Sequence, residues 1–236
     1  MNKEEQKSRP EKHPKQDFQV ERLAFFSDAV WAIAITLLVI EFKTPRITET
    51  STVQDVLQQV FDLKYHFIAL LISFVLITVY WMQHHRIFKY IHDYNTPIII
   101  ANMCVLFPII FFPFTTTFMS ESMATVFRNP ENATVYFLGI NIFLLNNFFA
   151  MLASYIFYWI TMVKYKKMSY EMPKQEKIKI TLHSLSGAVL FAAMFVTTLF
   201  SKNIFVYDLV VCPILIIFMI LRKKYIKPEK KSKDVS

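Results

Sequence analysis

Glycine is almost missing from this chain: Gly139 and Gly187 are the two in 236 residues, where ordinary usage is about 7%. Neither lies in a TVGYG-like run, so the chain cannot build a potassium filter from glycine-containing loops whose carbonyls replace ion hydration. Close glycine-mediated helix packing is likewise expected to play no part. Cysteine is nearly as scarce. Cys104 and Cys212 fall inside apolar stretches with no CxxC or metal-ligand spacing, which argues against a disulfide framework, a redox pair or a metal centre. Charge is missing over long runs: no Asp, Glu, Lys or Arg occurs in 65–85, 94–120, 132–163 or 180–201. Each run is at least as long as the roughly 20 residues needed to cross a bilayer. These absences exclude a soluble enzyme, a disordered chain and a nucleic-acid-binding domain.

What is present is apolar and aromatic: 54% of residues are hydrophobic and 24 are Phe. The pattern predicts an all-α integral membrane protein with six transmembrane helices, over about 22–42, 63–83, 97–119, 134–161, 180–200 and 204–221. The sixth carries one acid, Asp208, near its start. The basic first 21 residues lack the apolar stretch of a signal peptide and are expected to remain attached as a cytosolic tail. The expected organisation is a basic tail 1–21, a six-helix domain 22–222 and a basic tail 223–236. Of the 26 Lys and Arg, 21 fall in the N-terminal segment through Arg22, the second and fourth loops and the C-terminal segment from Arg222. The positive-inside rule therefore puts both termini in the cytosol. Lys164, Lys166, Lys167 and the run Arg222, Lys223 and Lys224 then face the anionic leaflet, which accounts for the net charge of +8 without a nucleic-acid partner.

Polar residues inside the first span need explaining. Asp28 sits nearly two turns inside it, and an ionisable group at depth is costly unless it finds partners or water. On a wheel of 100° per residue with Ile33 at zero, Thr36, Leu37 and Ile40 form one stripe, at about −60°, +40° and −20°. Ser27 and Asp28 fall near +120° and −140°, away from it. The stripe fits helix packing or the wall of a conduit, and periodicity alone does not choose. Donors for Ser27 and Asp28 exist at similar depth: Trp81 and His85, four residues apart on one face of the second helix, and Asn102 in the third. The competing assignment puts Trp81 in the interfacial aromatic belt and His84 and His85 among headgroups; for His84 the headgroup assignment is preferred.

The run Arg22-xxx-Phe26-Ser27-Asp28-Ala29, followed by Ala-Ile-Ala-Ile-Thr36-Leu37-Leu, resembles the signature of the transmembrane protein 175 family, the potassium channels of lysosomes and endosomes with their prokaryotic homologues. Tyr80-Trp81-Met-Gln-His84-His85-Arg86, and Asn102 ahead of Pro113-Phe114, resemble its second and third helices. The single six-helix set is similar to the prokaryotic branch, which the family assembles as homotetramers. The resemblance implies a potassium channel in the cell membrane, not an enzyme, passing potassium passively and needing no cofactor beyond the permeant ion. It implies that Ile33, Leu37 and Ile40 form the pore constriction and gate, and that Thr36 bears on ion selectivity, with potassium passing near Ile33 and Thr36. It further implies that Arg22, Phe26, Ser27 and Asp28 brace the pore helix, with Trp81, His85 and Asn102 as partners.

A pore of this kind needs several copies of one helix around an axis. Rings of Ile and Leu there can hold it shut by dewetting. Two rivals remain from the residues. A secondary transporter would use Pro108 and Pro113 to break the third helix, and Asn141, Asn146 and Asn147 as a polar site. It lacks an inverted repeat and a mid-membrane acid, and the asparagines also fit plain interhelical bonding. A non-conducting membrane scaffold is the other.

Overall fold

The computed structural model describes residues 14–41, 45, 47–128, 133–200, 213, 216, 217, 219–221 and 223. The described chain is helical: α1 (Pro14–Ile40), α2 (Val53–Phe88), α3 (Thr96–Ile110), α4 (Phe112–Arg128), α5 (Ala133–Trp159) and α6 (Lys174–Phe200). Its one β feature among these residues is an isolated bridge between Ile91 and Ser169. Five stretches are long and apolar enough to cross a membrane, α3 and α4 counting as one interrupted span. The sixth helix expected over 204–221 lies largely outside the described residues.

Two helices begin earlier than hydropathy suggests. α1 starts at Pro14, so the boundary expected at residue 21 falls inside a helix. α2 starts at Val53, ten residues before the expected 63, and its 36 residues extend about 54 Å at 1.5 Å each. The added length mixes Gln54, Asp55, Gln58, Gln59 and Asp62 with exposed Val53, Leu57, Val60 and Phe61. It is started by a capping box in which the Thr52 hydroxyl accepts from the Asp55 backbone N–H while the Asp55 carboxylate accepts from the Thr52 N–H at 3.0 Å. A hydropathy reading sees loop there because the interspersed acids and amides lower the mean apolarity of these turns.

The expected single third helix is two, divided at Phe111. Pro108 lies inside α3 and Pro113 is the second residue of α4. Each ring removes an N–H from the helical ladder, and in hydrocarbon the carbonyls so released need other donors. At the break itself the Asn146 amide on α5 adds a donor from outside the helix, bonding the Pro108 carbonyl at 3.1 Å. The other two amides also tie helices together. Asn147 accepts from the Tyr80 hydroxyl of α2 at 2.7 Å and donates to its own helix at Phe143, while Asn141 accepts from Thr198 of α6. All three asparagines are thus committed to packing. The polar site that a transporter reading would have made of them is occupied by the fold itself.

α5 is the hub, packing against α3, α4 and α6, while α1 packs on α2, α3 and α4. After Trp159, α5 loosens into a π turn, Ile160–Lys164, closed by Tyr165 N–H to Ile160 O at 2.9 Å. The chain then crosses under α3 by way of the Ile91–Ser169 bridge.

Scarce glycine does not mean that glycine packing is unused. A Cβ built on Gly139 would sit 2.7 Å from Ser122 Cβ and 3.0 Å from the Phe118 carbonyl on α4. Such a contact lets the α4 and α5 backbones close up. The expectation of no glycine-mediated packing is corrected at this position, because one glycine at a crossing suffices. Gly187 is different: a Cβ there would meet the flexible end of Met151, at 2.9 Å from its sulfur and methyl. Gly139→Ala should therefore destabilise by about 1–3 kcal/mol, the usual cost of overpacking, and Gly187→Ala by clearly less. Thermal unfolding of the two variants in detergent checks the order; equal midpoints would refute it.

Candidate functional site: a pinned amphipathic helix

The polar half of α1 is pinned from two sides. Ser27 is fully buried, and its hydroxyl donates to the Leu23 carbonyl one turn back at 2.9 Å. Its oxygen in turn accepts from the Asn102 amide of α3 at 2.8 Å. The Asn102 carbonyl oxygen stands 2.8 Å from Nε2 of His84 on α2; a carbonyl only accepts, so Nε2 carries the proton. The result is a directed chain, His84 to Asn102 to Ser27 to Leu23 O, crossing three helices with each donor used. Beside it, Trp81 donates its indole N–H to the Asp28 carboxylate at 2.9 Å. The half-buried Asp28 thereby has the donor that its depth requires.

The expected partners need revision at three positions. His85 is exposed and its ring makes no hydrogen bond among the described residues; it lies against the Trp81 ring at 5.5 Å between centroids. The neighbouring His84, assigned to the headgroups from sequence, is instead 3% exposed and stacks on Phe157 of α5 at 5.3 Å. The reason is register. Ser73, Ile77, Tyr80, His84 and Ile87 are all buried and repeat at steps of three and four, the inward stripe of α2. Trp81 and His85 lie one residue round from it, at the edge. That stripe was readable in the sequence and identifies His84. Arg22 also stands outside the network: it is exposed, with its guanidinium 6.0 Å from the Phe18 ring centroid. Phe26 is exposed on the outer arc of α1.

Pinning the polar side turns the aliphatic side outward. Leu23, Ser27, Trp31, Ala34 and Leu38 of α1 are buried against α2 and α3. Ile33 is 57% exposed and Ile40 73%, Thr36 is exposed and Leu37 is half-buried. The stripe found on the wheel therefore does not pack within the subunit. The Thr36 hydroxyl donates to the Ile33 carbonyl at 2.8 Å, which leaves its oxygen lone pairs on the outer surface. Among the described residues no group of three or more His, Cys, Asp or Glu is placed to hold a metal ion.

The chain is thus a multi-span helical bundle that fixes one amphipathic helix by its polar face and presents that helix's aliphatic stripe at its surface. Residues 22–113 match the family model of the endosomal/lysosomal potassium channel TMEM175. Similar proteins include a potassium channel of Chryseobacterium, 34% identical over 101 residues, covering 43% of this chain and 49% of the relative. A potassium channel of Chamaesiphon minutus is 38% identical over 100 residues, 42% of this chain and 49% of that one. The chain spans about half the length of the curated relatives it matches. The fold agrees over more of the chain. The crystal structure of a lysosomal potassium-selective channel TMEM175 homologue from Chamaesiphon minutus superposes with a TM-score of 0.59 at 24% identity, covering 88% of this chain and 98% of that one.

Because His84 rather than His85 is the bonded residue, His84→Leu should lower stability by about 1–3 kcal/mol through the unpaired Asn102. His85→Leu should stay within about 0.5 kcal/mol of the parent. Thermal unfolding in micelles measures both, and equal losses would refute the assignment.

Proposed function

We propose that the protein is a passive potassium channel, a homotetramer in which α1 of each subunit lines a common pore. The observation that carries this reading is the two-sided α1: its polar residues are bonded inward, and its Ile33, Thr36 and Ile40 stripe is left on the surface. A stripe with no partner inside its own subunit is covered by copies of itself once four subunits close around an axis. Ile33 and Ile40, with Leu37 beside them, then form apolar rings that exclude water when narrow, and Ile33 is the principal gate. Thr36 adds a ring of hydroxyl oxygens between them. Selectivity on this plan comes from pore radius and those oxygens and is modest.

The names of the relatives, potassium channels of bacteria, support the choice of ion. The lysine distribution supports cytosolic termini and a bacterial cell-membrane location, with 1–21 and 223–236 as basic tails on the six-helix domain. Arg22, Phe26 and Asp28 serve on this reading to seat the pore helix. No cofactor and no catalytic step are needed.

Purified protein in planar bilayers under a potassium/sodium gradient should give single-channel steps and a reversal potential displaced toward that of potassium. Saturable, coupled uptake without steps would replace the channel by a transporter. Ile33→Asn should wet the constriction and raise flux, and unchanged flux in a folded variant would remove Ile33 from the gate. Asp28→Ala, which leaves the Trp81 N–H unpaired, should lower the yield of assembled tetramer on native gels.

A further inference from the structure

A second surface feature lies on the other side of the bundle. Between α3 and α5 runs an open groove of about 780 Å³, within the range of about 300–1,000 Å³ usual for ligand sites. Ile100, Cys104, Phe107, Phe149, Ile156 and Ile160 are among its lining residues. It runs past the break at Phe111, with Phe111, Phe114 and Thr115 in its lining. Its polar groups are already committed: the Asn146 amide bonds the Pro108 carbonyl at 3.1 Å, and the Thr115 hydroxyl bonds Phe112 O at 3.2 Å. A polar occupant would find few groups to bond.

The dimensions select a chain-like guest. The lining on α3 runs from Pro97 to Phe111, about 21 Å at the helical rise, against about 15 Å for half the hydrocarbon thickness. The groove is thus as long as one leaflet's acyl chain. The charge at one end selects the headgroup. Ile160 opens the π turn that ends at Lys164, and at roughly four to five residues per turn Lys164 follows Ile160 along the same side of the helix. The segments 89–97 and 160–173 meet there through His92 N–H to Met168 O at 3.0 Å and Tyr170 N–H to Tyr90 O at 2.7 Å. Between them they carry Lys89, Lys164, Lys166 and Lys167 against the acids Asp93 and Glu171. All four lysines are exposed.

We infer that this groove binds an anionic glycerophospholipid, one acyl chain lying between α3 and α5 and its phosphate held by Lys164 and the neighbouring lysines. The groove borders the break in the span whose Asn102 pins α1. The inference rests on the membrane reading of the chain and not on conduction.

Cys104 provides the test, since it lines the groove and is exposed. The full chain, with Cys212→Ser, is alkylated with N-ethylmaleimide in detergent and followed by intact mass. Dioleoyl phosphatidylglycerol should slow alkylation several-fold, and dioleoyl phosphatidylcholine at equal mole fraction much less. Lys164→Gln should weaken the phosphatidylglycerol effect by about fivefold, the equivalent of about 1 kcal/mol for one basic residue at an anionic surface. Ile156→Trp, which fills the groove, should make alkylation slow and indifferent to lipid. Equal protection by both lipids, or none by phosphatidylglycerol, would overturn the inference. So would a Cys104 that is unreactive without lipid, since a second copy or the segment 204–221 would then cover the groove. Protection retained in a protein that conducts no ions would remove the channel reading and leave the lipid site standing.

Discussion

A hydrogen-bonding group placed in hydrocarbon has no solvent to fall back on, so each one must find its partner inside the protein. That requirement organises this fold more than helix packing does. Ser27 and Asp28 would be liabilities in a lone transmembrane helix. Here they hold α1 in one rotation, through Asn102 and His84 on one side and Trp81 on the other. Single membrane hydrogen bonds are worth on the order of 1 kcal/mol or less. Their directional chain nonetheless sets which face of α1 turns inward, because any other rotation strands several groups at once. The outward stripe of Ile33, Thr36 and Ile40 is the consequence.

The same requirement explains the rest of the bundle. Two prolines break the third span, and at the break Asn146 meets the Pro108 carbonyl. Asn147 and Asn141 fasten α5 to α2 and α6, which makes α5 the hub of the second half. The asparagines that resembled a transport site are the fastenings of the scaffold. Gly139 lets α4 approach closely, and its backbone contact shows why a chain with so few glycines still needs this one. The groove between α3 and α5 lies beside that break.

Much of this was legible in the residues. The charge-free runs located the spans, and the periodicity of α1 separated its polar and aliphatic sides correctly, since both follow from spacing along one helix. The pairing of Trp81 with Asp28 and of Asn102 with Ser27 was also foreseeable, from matched depth on neighbouring helices. The choice between His84 and His85 was not made correctly. They are adjacent, and only the inward stripe of Ser73, Ile77, Tyr80 and Ile87 distinguishes them. The start of α2 escaped hydropathy because its first turns mix acids and amides with apolar residues, and the Thr52–Asp55 box rather than apolarity begins the helix. Arg22 was placed in the network by its motif, and in the fold it reaches Phe18 instead.

By itself the sequence determined which segments enter the membrane, which face of α1 is polar and which residues lie at the depth where bonds are needed. These are properties of one helix and its distance from water, and they need no knowledge of neighbours. Only the tertiary structure decided which histidine is bonded, how the asparagines are used, where the third span breaks and what groove lies beside the break. Each of those depends on how two or three helices are rotated against one another. The energy that sets the rotation is shared among partners far apart in the chain.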